Sequence, residues 1–227
     1  MQNILNKRVS KIALFYDLVF VYMISKTTEI LHHLEHGLVS PASFALFALI
    51  VIIFINSWMI QTVFTNRYGI GSWADIAFYF IDMMILLYMS NSFDTNNLTE
   101  MKVLFISAGL LSLTLASHYL INYFQVKNSV DRNISRAFFM ILIFRASTLV
   151  IGGILDNIFG FILAVIGIIL SWLMPLLTTK YTLKHQIIFP HLLEPLNILV
   201  IIIFGQKNIA NAHYFQPKTL SFYNILI

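Results

Sequence analysis

The amino-acid sequence predicts an all-α fold, a polytopic transmembrane helical bundle of about seven spans with a cytoplasmic N-terminus. Of the 227 residues, 59% are apolar and 11% are charged, whereas soluble domains have roughly 45–50% apolar and about 25% charged residues. Apolar runs long enough to cross a bilayer recur along the chain, and basic residues collect in alternate connections between them. These observations together indicate an integral membrane protein.

The composition also excludes several classes of protein. So few polar side chains cannot cover a soluble surface, which excludes a cytoplasmic enzyme, a nucleic-acid-binding protein and a disordered scaffold. The net charge of +4 is typical of a membrane protein with basic cytoplasmic loops. The chain contains no cysteine, which excludes disulfides, thiolate metal sites and cysteine nucleophiles. No cleavage site follows the first apolar run, so this run is expected to remain as a span.

The spans are the apolar runs between polar breaks. A helix satisfies its own backbone hydrogen bonds, as lipid requires, and residues 49–55 are continuously apolar rather than alternating as in a β-barrel strand. Ser40-Pro41 is a favourable helix start for span two. In chain order, the spans are expected at about Ser10–Leu34, Pro41–Phe64, Trp73–Ser90, Val103–Phe124, Ser135–Leu155, Ile158–Leu177 and His191–Phe204.

The orientation follows from the charges between the spans, because cytoplasmic segments carry the excess of lysine and arginine. With the N-terminus inside, the outer connections before span seven contain a single basic residue, Lys102, and the acidic residues Glu35, Asp94, Glu100 and Asp156. The inner segments then contain Lys7, Arg8, Lys11, Arg67, Lys127, Arg132, Arg136, Lys180 and Lys184.

The end of the chain is expected to form a separate part. Residues 1–206 make up the transmembrane domain, and residues 207–227 are a polar segment followed by an apolar run. As a helix, the run from Leu220 to Ile227 reaches about 12 Å, against a hydrocarbon core of about 30 Å. It is either an amphipathic tail on the membrane surface or the start of an eighth span that is cut off.

Several ionisable side chains lie where a span is expected to face lipid. Such residues are costly at membrane depth and usually face a bundle interior or a water-filled cavity. A buried pair between Arg145 and an aspartate, with the remaining acids protonated or cation-bound, would balance the charge. Asp75 lies nearer the inner end of its span and is expected to reach the headgroups. The candidates for an intramembrane ion pathway are Asp17, Asp82, His118, Arg145, His191 and Glu194. Uncharged polar residues accompany them in spans two and four, among them Asn56, Ser57, Gln61 and Thr114.

The sequence contains no recognisable catalytic constellation, so neither enzyme activity nor a cofactor or metal site is expected. His191 and Glu194 could contact a metal from one helix face, but a complete site needs more ligands. His32, His33 and His36 cluster at the outer mouth of span one, where they are expected to be solvated.

Three stretches of the chain resemble the bacterial low-temperature-requirement protein A (LtrA) family. Residues 8–21 are similar to its opening signature, residues 58–68 to its tryptophan-rich second helix, and residues 191–206 to its His-x-x-Glu-Arg segment with a later Gly-Glu. Pro195 and Gln206 replace the arginine and the final glutamate of that pattern, which removes two of its charges. The residues that carry the resemblance are Phe15, Asp17, Phe20, Trp58, Asn66, Arg67, His191, Glu194 and Gly205.

The resemblance implies a multi-pass protein of the bacterial plasma (inner) membrane that is linked to growth at low temperature. It implies no established substrate or reaction. Because members of the family are longer, it favours a truncated eighth span over an amphipathic tail. A weaker similarity, Lys11-x-x-x-Phe15-Tyr16-Asp17, is to the opening signature of potassium channels with six-helix repeats.

Two functional hypotheses follow from the intramembrane charges. The first is that a small ion or solute moves through a polar intramembrane cavity. The alternative is a non-transporting structural or regulatory membrane protein whose buried charges only specify helix packing. An intramembrane enzyme is the least favoured class. The expected partners are the lipid bilayer, a small ion or solute and a second copy in a homo-oligomer, with no nucleic acid.

Overall fold

In a computed structural model, six long helices make up most of the described residues. The described residues are 11–32, 34–35, 38–69, 71–90 and 99–177, and then 196–197, 200–201 and 204–205. The elements in chain order are α1 (Lys11–Thr28), a 3₁₀ turn (Glu29–His32), β1 (Leu34–Glu35), β2 (Leu38–Val39), α2 (Pro41–Tyr68), α3 (Trp73–Ser90), α4 (Thr99–Gln125), α5 (Ser129–Leu155) and α6 (Ile158–Leu177).

Local sequence explains where several helices begin and end. Pro41 occupies the first turn of α2, where its missing N–H would have no helical partner. Ser72 and Asp75 form a reciprocal cap on α3, since the Ser72 N–H donates to Asp75 Oδ2 and the Asp75 N–H donates to Ser72 Oγ. Asn128 caps α5 by accepting from the Val130 N–H at 3.1 Å.

A tight connection joins α5 to α6. Asp156 follows α5 in the left-handed region, with φ of 47°. The next residue, Asn157, accepts a hydrogen bond from the Gly160 N–H at 2.8 Å and so caps the first turn of α6. The two helices therefore form an antiparallel hairpin with almost no loop between them.

The helices alternate in direction, and α4 lies at the centre of the bundle. It packs against α2, α3 and, most extensively, α5, whereas α6 packs mainly on α5 and α1 packs on α2 and α3. In the connection between α1 and α2, the two-residue strands β1 and β2 pair in antiparallel orientation. Large apolar side chains such as Met84, Ile154 and Phe159 are exposed on the outer faces, as expected for helices whose outer surface contacts lipid.

The structure confirms the all-α prediction and much of the span assignment. The limits of α3 and α6 coincide with those predicted, while α4 and α5 start four and six residues earlier than expected, at Thr99 and Ser129. Five helices, α2 to α6, are long and apolar enough to cross a membrane. Helix α1 is not among these five because Lys11, Asp17 and Lys26 interrupt its apolar sequence.

The remaining predictions for the chain's architecture lie largely outside the described residues. Of the predicted span His191–Phe204, the structure describes residues 196, 197, 200, 201 and 204, which are helical and exposed. The segment 207–227 also lies outside. The described residues thus contain five helices long and apolar enough to cross a membrane, where about seven spans were predicted.

Candidate intramembrane polar site

The polar interior is a set of buried and half-buried polar side chains that α1, α2, α3, α4 and α5 direct toward one another. It consists of Tyr16, Asp17, Asn56, Ser57, Trp58, Gln61, Asp82, Thr114 and Arg145. Each of these residues lies in the middle portion of its helix, and apolar side chains occupy the outward positions beside them. The arrangement places polar chemistry inside a bundle whose outer surface is apolar.

Asp17 is held by a neighbouring helix. Its side chain is 4% exposed, and the Trp58 indole N–H donates to its Oδ1 at 2.7 Å. Since an indole can only donate and a carboxylate can only accept, the two groups are matched partners. The sequence predicts a basic or hydrogen-donating partner on another helix, and the Trp58 contact confirms this.

Among the described residues, Arg145 is the largest fully buried side chain, with no exposed surface. It extends from α5 to α2, where its guanidinium donates to Asn56 Oδ1, to Ser57 Oγ at 3.0 Å and to the Ile53 carbonyl at 3.3 Å. All three acceptors are formally neutral. The guanidinium is therefore tied to α2 by hydrogen bonds.

The expected Arg145–aspartate pair is wrong for the described part of the chain. No carboxylate there lies within ion-pair distance of Arg145. The physical reason is the position of α2, which lies between α1 and α5. Successive residues of a helix point about 100° apart, so Trp58 is directed toward Asp17 while Asn56 and Ser57 are directed toward Arg145.

Asp82 projects from α3 toward α4, where its Oδ1 contacts the Thr114 hydroxyl. The side chain has no exposed surface, and its second oxygen, Oδ2, has no hydrogen-bond partner in the described structure. Tyr16 of α1 interacts electrostatically with both Asp82 and Asp17. Tyr16 therefore lies near both aspartates.

His118 lies apart from these residues, toward the end of the bundle where α4 ends and α3 begins. Its ring stacks on Phe64 with a centroid distance of 4.7 Å and lies 4.1 Å from the Phe78 ring. Its Nε2 is 3.8 Å from Asp75 Oδ1. Asp75 therefore caps α3 and faces His118, a role that the sequence prediction of a headgroup contact missed. The Ser-x-x-Asp spacing before an apolar run is the signal for this cap.

Several buried polar atoms of the polar interior have no hydrogen-bond partner among the described residues. They are Tyr16 Oη, both amide atoms of Gln61, Asp82 Oδ2 and Arg145 Nε. Leaving such a group unpaired typically costs about 1–3 kcal/mol. Buried polar groups in native proteins are usually satisfied by protein or water. These atoms therefore mark the places where water, an ion or a polar solute would gain hydrogen bonds.

Sequence reasoning found most of the polar residues but few of their pairings. Tyr16 and Tyr79 were not predicted as members, although Tyr79 shares a 2.6 Å hydrogen bond with Thr65 and packs edge-on against Tyr16. A tyrosine next to an aspartate in an apolar run is a usable signal, because a buried phenol normally finds a polar partner. Trp58 was identified only through the family resemblance.

The other predicted residues are placed less completely. His191 and Glu194 lie outside the described residues, and Gly205 is helical and exposed. Asn66 and Arg67 belong to the last turn of α2, where Asn66 Nδ2 and Arg67 Nε are buried without a partner in the described structure. Across the described ranges, no group of three or more histidine, aspartate or glutamate side chains is placed to hold a metal ion.

Comparison with known proteins identifies a family. The family model for bacterial low temperature requirement A protein (LtrA) matches residues 8–227, almost the whole chain. No curated protein and no solved structure matches. The matched range includes all six helices and the polar interior. With five helices able to cross a bilayer, the chain is a membrane protein that belongs to the LtrA family.

Proposed function

We propose that this protein moves a small ion or polar solute across the bacterial inner membrane through the polar interior. The observation that supports this most directly is the set of buried polar atoms without partners around Asp82, Gln61 and Arg145. A bundle that used polar groups only for packing would be expected to satisfy them internally, because an unpaired group in a low-dielectric interior is costly. A permeating species would provide the missing hydrogen bonds.

The distribution of charge supports the proposed orientation, with the N-terminus in the cytoplasm. Lys11 at the start of α1, Arg67 at the end of α2, and Lys127 and Arg132 near the α4–α5 connection share one end of the antiparallel bundle. At the opposite end of the described structure, the Lys102 backbone packs beside Gly153, three residues before Asp156. Basic residues concentrate on the cytoplasmic side of inner-membrane proteins.

The second candidate is a non-transporting structural or regulatory protein, and one observation favours it. Asp17 and Arg145 each have specific partners on α2, namely Trp58 for Asp17, and Asn56 and Ser57 for Arg145. Such bonds would orient α1 and α5 around α2 without any solute. In this case, the unpaired atoms would remain dry, and the family's role would be exerted through helix packing or through a partner.

Water access to single cysteines distinguishes the two candidates. The chain has no native cysteine, so Gln61→Cys and Met84→Cys each introduce one thiol. Gln61 is buried in the polar interior, whereas Met84 is 70% exposed on the outer face of α3, where lipid is expected. We expect a charged, membrane-impermeant thiol reagent to modify the cysteine at position 61 and to leave the one at position 84 unmodified.

A flux measurement completes the test. Purified protein in liposomes should carry sodium, potassium, chloride or protons faster than empty liposomes. If the reagent did not modify the cysteine at position 61 and none of these ions crossed the membrane, transport would be contradicted and the packing function favoured. The Met84→Cys variant serves as the matched control for folding and reconstitution, because it leaves the polar interior unchanged.

A further inference from the structure

Asp82 has an unusual set of neighbours for a buried acid. Tyr16 of α1 interacts electrostatically with it and also with Asp17. Tyr79, three residues earlier on α3, packs against Tyr16, and His118 of α4 faces Asp75 instead. On α2, Gln61 and Thr65, the polar groups next to Tyr79, are uncharged. No lysine or arginine of the described chain lies within ion-pair distance of its carboxyl group. A bare carboxylate here would have no countercharge.

The hydrogen bonds of Thr114 also favour a neutral, protonated Asp82. The Thr114 Oγ1 lies within hydrogen-bond distance of two acceptors, Asp82 Oδ1 and, at 2.8 Å, the Leu111 carbonyl. A hydroxyl has one hydrogen, so it can donate to only one of them at a time. If Asp82 is a neutral carboxylic acid, its own O–H donates to Thr114 Oγ1 and the Thr114 hydrogen goes to Leu111. Both contacts are then satisfied hydrogen bonds.

We propose that Asp82 is a proton-binding site, and that the proton is the species carried, or the coupling ion, in the transport proposed above, on which this inference rests. In the binding step, hydronium gives a proton to the Asp82 carboxylate, which forms one O–H bond and leaves one water molecule. Release is the reverse reaction.

The ligand set favours a proton over a metal cation. Asp82, Thr114 and Tyr16 supply few oxygen atoms, and the side chains of Met83, Leu86 and other apolar residues fill much of the surrounding core. Calcium and magnesium sites take about six to eight oxygen ligands. A proton needs a single carboxylate oxygen and one hydrogen-bond acceptor, and both are present at Asp82 and Thr114.

Infrared spectroscopy of the purified full chain in detergent tests the site without any transport assay. We expect the carbonyl stretch of a protonated carboxylic acid at neutral pH, and Asp82→Asn should remove it. Asparagine has the shape of the neutral acid, so this variant is expected to fold. Thr114→Val should keep the band but move it to higher frequency, because the acceptor of the acid O–H is lost. Ser117→Ala serves as the control on α4, since Ser117 is half-buried and its hydroxyl donates to the Leu113 carbonyl of its own helix.

Proton flux into liposomes, followed with a trapped pH-sensitive dye, then tests the link to transport. The natural chain should carry protons, and Asp82→Asn should reduce the rate at least tenfold. A band unaffected by Asp82→Asn, or an unchanged proton flux in that variant, would overturn the role of Asp82 while leaving transport of another species intact. Absence of any proton, sodium, potassium or chloride flux in the natural chain would instead overturn the proposed function, and the coupling role with it.

Discussion

The two sides of the bundle hold their helices together by different means. On one side, α4, α5 and α6 approach through glycines: a Cβ on Gly153 would lie 3.1 Å from the Lys102 carbonyl oxygen, and one on Gly152 would lie 2.6 Å from the Gly160 carbonyl oxygen. On the other side, α1, α2 and α3 meet through side-chain hydrogen bonds such as Asp17–Trp58. One interface is defined by shape and the other by polar pairing.

This difference assigns separate tasks to the two sides. Small residues let helix backbones pack closely in lipid, where there is no hydrophobic force between helices. Gly152 and Gly153 are adjacent, and they face α6 and α4 respectively, so α5 is held from both directions. Interhelical hydrogen bonds average only about 0.6 kcal/mol in such surroundings. We therefore expect the glycine-packed side to be the more rigid one and the polar side to be the part able to rearrange.

Arg145→Ala is expected to have the largest effect, because this side chain connects the two sides. Its removal leaves a cavity and takes the donors from Asn56 and Ser57. Truncation of a large buried side chain typically destabilises by about 2–5 kcal/mol. Thermal melting in detergent should show a marked decrease in Tm. Arg136→Ala, at an exposed position of the same helix, is the control. An equal Tm for the two variants would show that Arg145 does not hold the two sides of the bundle together.

Gly152→Val tests the glycine-packed side. The new side chain would collide with the Gly160 carbonyl and with Ala164 of α6, and overpacking of this kind typically costs about 1–3 kcal/mol. We expect α6 to separate from α5, detected as faster proteolysis near α6 together with a lower Tm. Ile151→Val changes the adjacent, half-exposed position and should behave like the natural chain. Equal Tm values for the two variants would show that close packing at Gly152 does not hold α6 against α5.

The smallest expected effect is the difference in Tm between two aspartate variants of the polar side. Asp17→Ala leaves the Trp58 indole without an acceptor, a loss of about 1–3 kcal/mol for a buried donor. Asp75→Ala removes part of the α3 cap, which is worth about 1 kcal/mol at a helix N-terminus. The decrease in Tm should therefore be larger for Asp17→Ala. Equal tolerance of the two changes would mean that the Asp17–Trp58 bond does not stabilise the fold.

Sequence reasoning located the helices more accurately than the contacts between them. The apolar run from Trp73 to Ser90 matched α3 because its limits coincide with a capping pair and a polar break. Helix α5 was started too late, at Ser135, because Asp131 and Arg132 were assigned to a loop although Asn128 caps a helix that includes them. A capped polar turn can thus begin a helix before its apolar residues do.

The partners inside the bundle were harder to predict for a physical reason. Periodicity fixes the direction of a side chain on its own helix but not the rotation of the helix that faces it. Arg145 was therefore predicted to pair with an aspartate, although the two residues of α2 that reach it are Asn56 and Ser57. The adjacent Gly152 and Gly153 were not predicted as an interface, because glycine has no side chain and contributes nothing to a pattern of hydrophobic residues.

The nearly loopless connection at Asp156 and Asn157 has a consequence for how the protein enters the membrane. An arginine at the centre of a lone helix makes insertion less favourable by about 2.5–3.5 kcal/mol, and α5 carries Arg145 there. Helix α6 follows after two residues and contains no charged residue between Ile158 and Leu177. The translocation machinery would thus receive α5 and α6 as one helical hairpin, in which the apolar surface of the second helix offsets the charge of the first.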